Sequence, residues 1–533
     1  MDMLENITIP QLLHRTVRQF PDREAIWDRG RTVSYAELES KVAGYGAALC
    51  AAGVNKGDHV AIWAENSPQT LYAFYAVMSM GAVAVMMNTS MMFAEMESML
   101  RFSRCRCLIV GGLYKASVEK KELDHIREAF PELLQIFTLP GAEAEGYVSL
   151  DAAGEEQDAE MLDVFRRHER SVVPQDTATM LFTSGTSGKY KGVLTSHFSQ
   201  VNCGLQQARD LRADCKDRFC CVLPMFHCFS ISTNLFCCLA AGGCLCFPEN
   251  RRTGAIVRTI KEGRCTVFNC VPTLFYSLMA RPDFRSEDFA TLRTGIIGGA
   301  PYSPKQFADI EKAFSMTLMC SLGQTEATSA LSTCEMDDPL SVRSTTLGHF
   351  ISNIEGRIAD PVTGEALPDG HTGEICIRGF SVMQGYYRMP AVTARVIDSQ
   401  GWLHTGDLGM LDKRGYLVLK GRLKELIIRA GEKISPAEVE TAILSLPQVM
   451  DCKVLGIPSS HYGEEVCACV VLKPGEKMSG ARLRSALRPL LAEYKIPSYI
   501  CLLRELPLNG IGKVDMPVLL SRIKESIPAC SNP

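Results

Sequence analysis

An apolar, strand-like run from Thr179 to Phe182 opens directly into Thr183-Ser-Gly-Thr-Ser-Gly-Lys-Tyr-Lys-Gly192. Glycines allow positive φ and a close approach of backbone to phosphate. The hydroxyls of Thr183, Ser184, Thr186 and Ser187 can donate to phosphate oxygens, and Lys189 and Lys191 add positive charge. The stretch is not a Walker loop, which needs four residues between its first glycine and Gly-Lys, then Ser or Thr. Gly185 and Gly188 are too close together, and Tyr190 follows the lysine. The bland alternative is a flexible Ser/Gly linker. Two lysines set among glycines behind a buried strand weigh against it.

The loop resembles the phosphate loop of the adenylate-forming superfamily: acyl- and aryl-CoA synthetases, peptide-synthetase adenylation domains and firefly-type luciferases. Tyr190 stands where that family usually has proline. Further elements resemble the family's in its own order: Pro224-Met-Phe-His227, Gly298-Gly-Ala-Pro301, Ser321-Leu-Gly-Gln-Thr-Glu326, Gly401-Trp-Leu-His-Thr-Gly-Asp407, Gly421-Arg-Leu-Lys-Glu425, Gly431-Glu-Lys-Ile-Ser-Pro-Ala-Glu438 and Asn509-Gly-Ile-Gly-Lys513. The stretches Gly379 to Tyr387 and Gly421 to Arg429 are most similar to the medium- and long-chain fatty-acyl-CoA synthetase branch.

The resemblance implies a job for each element. ATP, Mg²⁺ and coenzyme A would be the small-molecule partners, with a carboxylic acid as substrate. Glu326, with Thr186, would hold the Mg²⁺ that neutralises the triphosphate. Gly298, Gly299, Ala300 and Pro301 would flank the adenine. Gln324 and Thr325 would line the nucleotide, with Thr325 at the α-phosphate. Leu322 replaces the family's tyrosine, which removes an aromatic face from the adenine side. Asp407 would accept hydrogen bonds from both ribose hydroxyls, and Arg422 would offer a rigid donor fork nearby. Lys513 would stabilise charge as a carboxylate meets the α-phosphate. His227 would gate the acyl pocket. Lys424 matches the hinge about which the small domain rotates, and Gly431 would then line the pantetheine tunnel.

These parts need elements to hold them. Apolar runs such as Leu108–Val110, Thr179–Phe182, Cys220–Leu223 and Ile296–Ile297 alternate with helix-like stretches, which indicates an α/β fold with buried sheets. The resemblance implies a large N-terminal AMP-binding domain over 1–422, with two α/β subdomains and a small β-barrel-like subdomain. A small mobile α+β C-terminal domain would cover 423–533. Ser303-Pro304 marks a helix start, and Ser435-Pro-Ala-Glu438 reads as a capping box. Gly141 to Arg170, acidic and polar, reads as a solvated connection. Leu71 to Met87 is the longest apolar stretch; it reads as a helix to Met80, a break at Gly81 and a buried strand, not as a membrane span.

Composition narrows the rest. The chain has 533 residues, 46% hydrophobic and 22% charged, with a formal net charge of -4. Without a basic run, nucleic acid is a poor partner. The absence of a secretory start and the 22 cysteines, with no C-x-x-C, fit small buried side chains in a reducing cytoplasm. Peripheral membrane contact and oligomeric state stay open. The run Cys228 to Ile231 offers no carboxylate to pair an amino acid's ammonium, so an apolar acid is expected. An aryl-acid-CoA ligase and an adenylating enzyme that loads a carrier protein are the alternatives. An oxidative luciferase and a silent acyl-nucleotide-binding protein are more distant ones.

Overall fold

The computed structural model describes residues 3–114, 117–156, 158–184, 190–300, 302–429, 432–459, 462–508 and 514–524. The strand that leads to the glycine-rich loop, Thr177–Ser184, lies inside an eight-stranded sheet. The order is Gly385–Tyr386, Tyr190–Ser196, Thr177–Ser184, Val83–Met86, His59–Trp63, Cys107–Val110, Gln135–Thr138 and Val148–Ser149. Alternate residues of its strands enter two different cores. Ile62, Ala84, Met86 and Ile109 join one, while Ala61, Trp63, Val83, Val85, Leu108 and Val110 join the other. Burial on both faces is why these strands read as continuous apolar runs.

A second sheet pairs Arg218–Cys220, Cys244–Phe247, Glu24–Asp28 and Arg31–Ser34 in that order. Isolated bridges from Phe219 to Val267 and from Val267 to Thr294 carry it on to Thr294–Ile297, Thr317–Gly323, Ala330–Thr333 and His349–Phe350. A third sheet is wholly antiparallel: Ile354–Ala359, Gly373–Gly379, Leu403–Leu411 and Leu417–Arg422. The C-terminal region builds its own sheet from Glu432–Ile434, Ile427–Arg429, Gly463–Leu472, Val449–Ser459 and Tyr499–Leu503. Helices Pro436–Leu444, Gly480–Leu487 and Met516–Lys524 accompany it, around two separate apolar clusters.

The apolar stretch from residue 71 folds as expected. Helix Pro68–Ser79 runs into a turn at Gly81, whose φ of 77° suits glycine, and then strand Val83–Met86. Among the described residues no helix is long and apolar enough to cross a membrane. None of the described cysteines forms a disulfide, and most are buried.

Two expectations are corrected. The segment 141–170 is not merely a solvated connection. It carries helices Leu150–Glu155 and Ala159–Ser171, anchored by the buried side chains of Leu150 and Phe165. They pack on helix Tyr35–Ala51, and glycines set the spacing there. A Cβ on Gly44 would sit 2.4 Å from the Gly154 carbonyl oxygen, and one on Gly46 would sit 2.1 Å from the Phe165 ring. The Ser435 hydroxyl does not close a capping box. It donates to the Lys420 carbonyl, tying helix Pro436–Leu444 to strand Leu417–Arg422, while Glu438 takes an ion pair with Lys495 at 2.6 Å.

Candidate active site

Strands Thr177–Ser184 and Tyr190–Ser196 pair antiparallel on either side of the glycine-rich loop, with Thr183 opposite Lys191. The next strand along, Gly385–Tyr386, pairs with Tyr190–Ser196 and brings Tyr386 beneath the lysine. The Lys191 ammonium donates to the Tyr386 hydroxyl at 3.0 Å and lies 4.3 Å from that ring's centre. Tyr386 in turn donates to Glu326 Oε1 at 2.8 Å, and Lys191 stands 4.0 Å from the same oxygen. Burial first, and then the Glu326 carboxylate, push the Tyr386 phenol up, so it remains a donor. Tyr386 is the residue that sequence reasoning missed. It lies in the quoted Gly379 to Tyr387 stretch, but nothing in its spacing joins it to Glu326.

Glu326 sits on a single 3-10 turn, Thr325–Ala327. The next residue, Thr328, has φ 61°, an uncommon conformation for a β-branched side chain. It is held there by its hydroxyl donating to the Ser381 carbonyl at 2.6 Å. The Met383 N–H donates to the Glu326 carbonyl at 2.9 Å. The backbone of the turn is therefore held from two sides, and the carboxylate by the Tyr386 hydroxyl.

Gln324 precedes it in extended conformation. Its buried Nε2, and the buried hydroxyl of Thr183, have no hydrogen-bond partner among the described residues. Buried polar atoms are normally satisfied, so two orphans near Glu326 and Lys191 fit a polar ligand. A single anchored carboxylate also fits Mg²⁺, which is typically bound through one or two carboxylates plus phosphate oxygens.

Asp407 and Arg422 face each other across strands Leu403–Leu411 and Leu417–Arg422. The Arg422 Nε donates to Asp407 Oδ1 at 2.8 Å. Asp407 is 3% exposed. Burial raises its carboxyl above the ordinary value, against the pull of Arg422; Glu326 also contributes. Asp407 is presented by a braced turn. Glu374 accepts the Gly406 N–H at 2.9 Å and pairs with His404 Nδ1 at 2.7 Å. The Thr405 hydroxyl donates to the Ile375 carbonyl at 2.7 Å and accepts the Asp407 N–H at 3.1 Å.

On the other side, the Thr325 hydroxyl lies 3.8 Å from Cys228 Sγ. His227 precedes the short helix Cys228–Ser230 and is half-buried, its ring 4.7 Å from that of Phe226. Ile231–Phe236 then continues as a π-helical turn, a form that recurs at functional sites. A Cβ on Gly298 would meet the Ser321 carbonyl at 3.4 Å and the Phe229 ring at 3.8 Å. Gly299 has φ 82° and Ala300 is half-buried. So the Gly298 turn, Phe229 and the strand before Gln324 share one wall. Leu322 packs with the core of the antiparallel sheet, and the Tyr190 hydroxyl donates to Glu95 at 2.8 Å.

Gly185, Thr186, Ser187, Gly188, Lys189, Pro301, Gly431 and Lys513 lie outside the described residues, as do the side chains of Ser184 and Lys424. Among the described remainder, Lys191 meets Glu326 through Tyr386, Thr325 lies beside Cys228, and Asp407 pairs with Arg422.

A lysine and a carboxylate joined through Tyr386 at the edge of the glycine-rich segment, with orphaned polar atoms near them, form a polar site suited to an anionic ligand. Residues 13–387 match the AMP-binding enzyme family, and residues 438–513 match the AMP-binding enzyme C-terminal domain. The chain belongs to the AMP-binding enzyme family. It is 33% identical over 514 residues to a methyl-dioxo-octahydroindenyl propanoyl:CoA ligase of Mycobacterium tuberculosis, covering 96% of this chain and 98% of that protein. It is 30% identical over 535 residues to the mitochondrial medium-chain acyl-CoA ligase ACSF2 of Mus musculus, covering 96% and 86% respectively. The crystal structure of ATP-bound MatB from Rhodopseudomonas palustris superposes with a TM-score of 0.86 at 27% identity, over 98% of this chain and 100% of that one.

Proposed function

We propose that this AMP-forming acyl-CoA ligase activates an apolar carboxylic acid, a medium- or long-chain fatty acid, with ATP and passes the acyl group to coenzyme A. The observation that carries the reading is the Lys191–Tyr386–Glu326 contact, which places a cation and an anchored carboxylate at the mouth of the phosphate-loop strand.

In the first step a carboxylate oxygen attacks the α-phosphorus of ATP in line, and the bond to pyrophosphate breaks. Both reactants are anions, so positioned positive charge is the main source of rate. Lys191 would neutralise phosphate oxygens, Thr183 and Gln324 would donate to the nucleotide, and Lys513 would bridge the two reacting groups. Asp407 would hold the ribose while Arg422 keeps it ionised. Mg²⁺ held by Glu326, with Thr186, would screen the triphosphate. In the second step the thiolate of coenzyme A attacks the acyl carbon, and AMP leaves with the electron pair. A division at residues 422/423, with rotation about Lys424, would exchange the Lys513 segment for the one around Gly431 between steps.

The acid's class rests on the wall near Gly298. The hydroxyls of Ser230 and Thr233 donate to the carbonyls of Leu223 and Phe229 at 2.7 and 2.6 Å, and Ser232 pairs with Ser329. With these groups turned back on the protein, Phe229 and Val271 present apolar surface and no carboxylate. The names of the two relatives, a medium-chain and a fused-ring ligase, are consistent with such a wall. We read the protein as acting in a reducing compartment, the cytoplasm, which fractionation tests.

Acid-dependent ATP–pyrophosphate exchange across fatty, aryl and amino acids tests the reading. Exchange should follow apolar acids, and thioester should appear with CoA and not with a carrier protein. Exchange driven only by aryl or amino acids would overturn the substrate assignment.

A further inference from the structure

Among the described residues, two groups of three side chains bring potential metal-donor atoms within 4.8 Å of one another: Glu374, Cys376 and His404, and Cys467, Cys469 and Cys501. The first already has work, since its carboxylate and imidazole brace the turn that presents Asp407. The second has none in the chemistry above. Cys467 and Cys469 are two residues apart on strand Gly463–Leu472, so both sulfurs leave the same face. Strand Tyr499–Leu503 runs parallel beside it, with Cys501 in register with Cys469. Three thiols thus converge on one point from two neighbouring strands.

The spacing suits a metal ion. Thiolates about 2.3 Å from a shared ion in a plane stand about 4 Å apart, which the 4.8 Å limit on these three sulfurs accommodates. The surroundings select which ion. Leu455, Ile457, Val471, Leu506, Leu519 and Ile523 form the rest of the cluster, and Met516 packs against it. Cys467 and Cys469 are fully buried, and Cys501 is 9% exposed. Hard cations require oxygen ligands and keep water, whereas the buried members of this cluster among the described residues are aliphatic side chains and thiols. A soft d¹⁰ ion is satisfied by thiolates, with a thioether nearby.

We propose that Cys467, Cys469 and Cys501 form a binding site for a thiophilic monovalent ion of the Cu(I) class in the C-terminal domain. Binding replaces thiol protons by the ion, with no change of oxidation state, and cross-links strand Gly463–Leu472 to strand Tyr499–Leu503.

The test titrates the reduced full-length protein anaerobically with Cu(I) against a competing Cu(I) chelator, counting equivalents retained. Wild type should retain one equivalent more than Cys467→Ser/Cys469→Ser and Cys501→Ala, with sulfur-only ligation by X-ray absorption and a raised unfolding temperature. Cys50→Ala, a thiol on helix Tyr35–Ala51, should retain the wild-type number. Should the double variant fail to fold, Cys501→Ala at the exposed margin gives the same reading alone. Undiminished retention in a folded Cys501→Ala variant would overturn the site. Nitrogen or oxygen ligands on the bound ion, or retention of Zn(II) in place of Cu(I), would overturn the assignment of the ion.

Discussion

Tyr386 joins Lys191, on the strand beside the glycine-rich loop, to Glu326 on the turn Thr325–Ala327. Tyr386→Phe removes both hydrogen bonds and keeps the ring under the lysine. The first half-reaction should slow about tenfold, roughly 1.4 kcal/mol, with a higher Mg²⁺ requirement. Thioester formation from supplied acyl-adenylate should be unchanged; an equal loss in both steps would contradict the role. Lys513→Ala should cost about 10² or more in adenylate formation and spare the thioester step, as read in the two half-reactions separately. Glu374→Gln keeps the shape of the Asp407 turn's brace but weakens its pairing with His404. The KM for ATP should rise several-fold with kcat little altered, a split that loss of folding would not produce. Lys191, Glu326, Asp407 and Arg422 were legible because each sits in a short run of fixed spacing. Tyr386 was not, because its partners lie 60 and 195 residues away in sequence. Only the pairing of strand Gly385–Tyr386 with Tyr190–Ser196 creates that contact.

The elements read most reliably from sequence are those buried on both faces. Val83–Met86 and Cys107–Val110 are continuous apolar runs, and each is a strand with every residue buried. Helices whose polar faces meet solvent were harder to see. Ala159–Ser171 buries Phe165 alone among its residues, so its composition resembles that of a linker. Its place is set by a close contact that sequence does not reveal, the approach of Gly44 and Gly46 to Gly154 and Phe165. Gly44→Val should therefore push the helices apart, lowering stability by about 1–3 kcal/mol in denaturant melts. The π-helical turn Ile231–Phe236 was equally invisible, because its apolar residues suit an ordinary helix.

Across the molecule, His14 joins three helices. It lies on Ile9–Gln19 and pairs with Glu169 of Ala159–Ser171 at 3.0 Å and with Glu39 of Tyr35–Ala51. The bonds to Glu169 and then Glu39 push its imidazole up to about 9, against burial. A base whose folded pKa is raised contributes stability in full below its unfolded value of about 6.5. That contribution declines through the interval and is gone above about 9. The unfolding-temperature gap between wild type and His14→Gln should thus be largest near pH 6 and close by about pH 10. A gap that is constant with pH would contradict the ion-pair account. The whole assembly serves one bond, between a substrate carboxylate oxygen and the α-phosphorus of ATP. The direct measurement is turnover of a fatty acid labelled with ¹⁸O in its carboxylate, with the nucleotide product analysed by mass. One labelled oxygen should appear in AMP for each thioester formed. Label in inorganic phosphate with ADP as the nucleotide, or unlabelled AMP, would contradict the account.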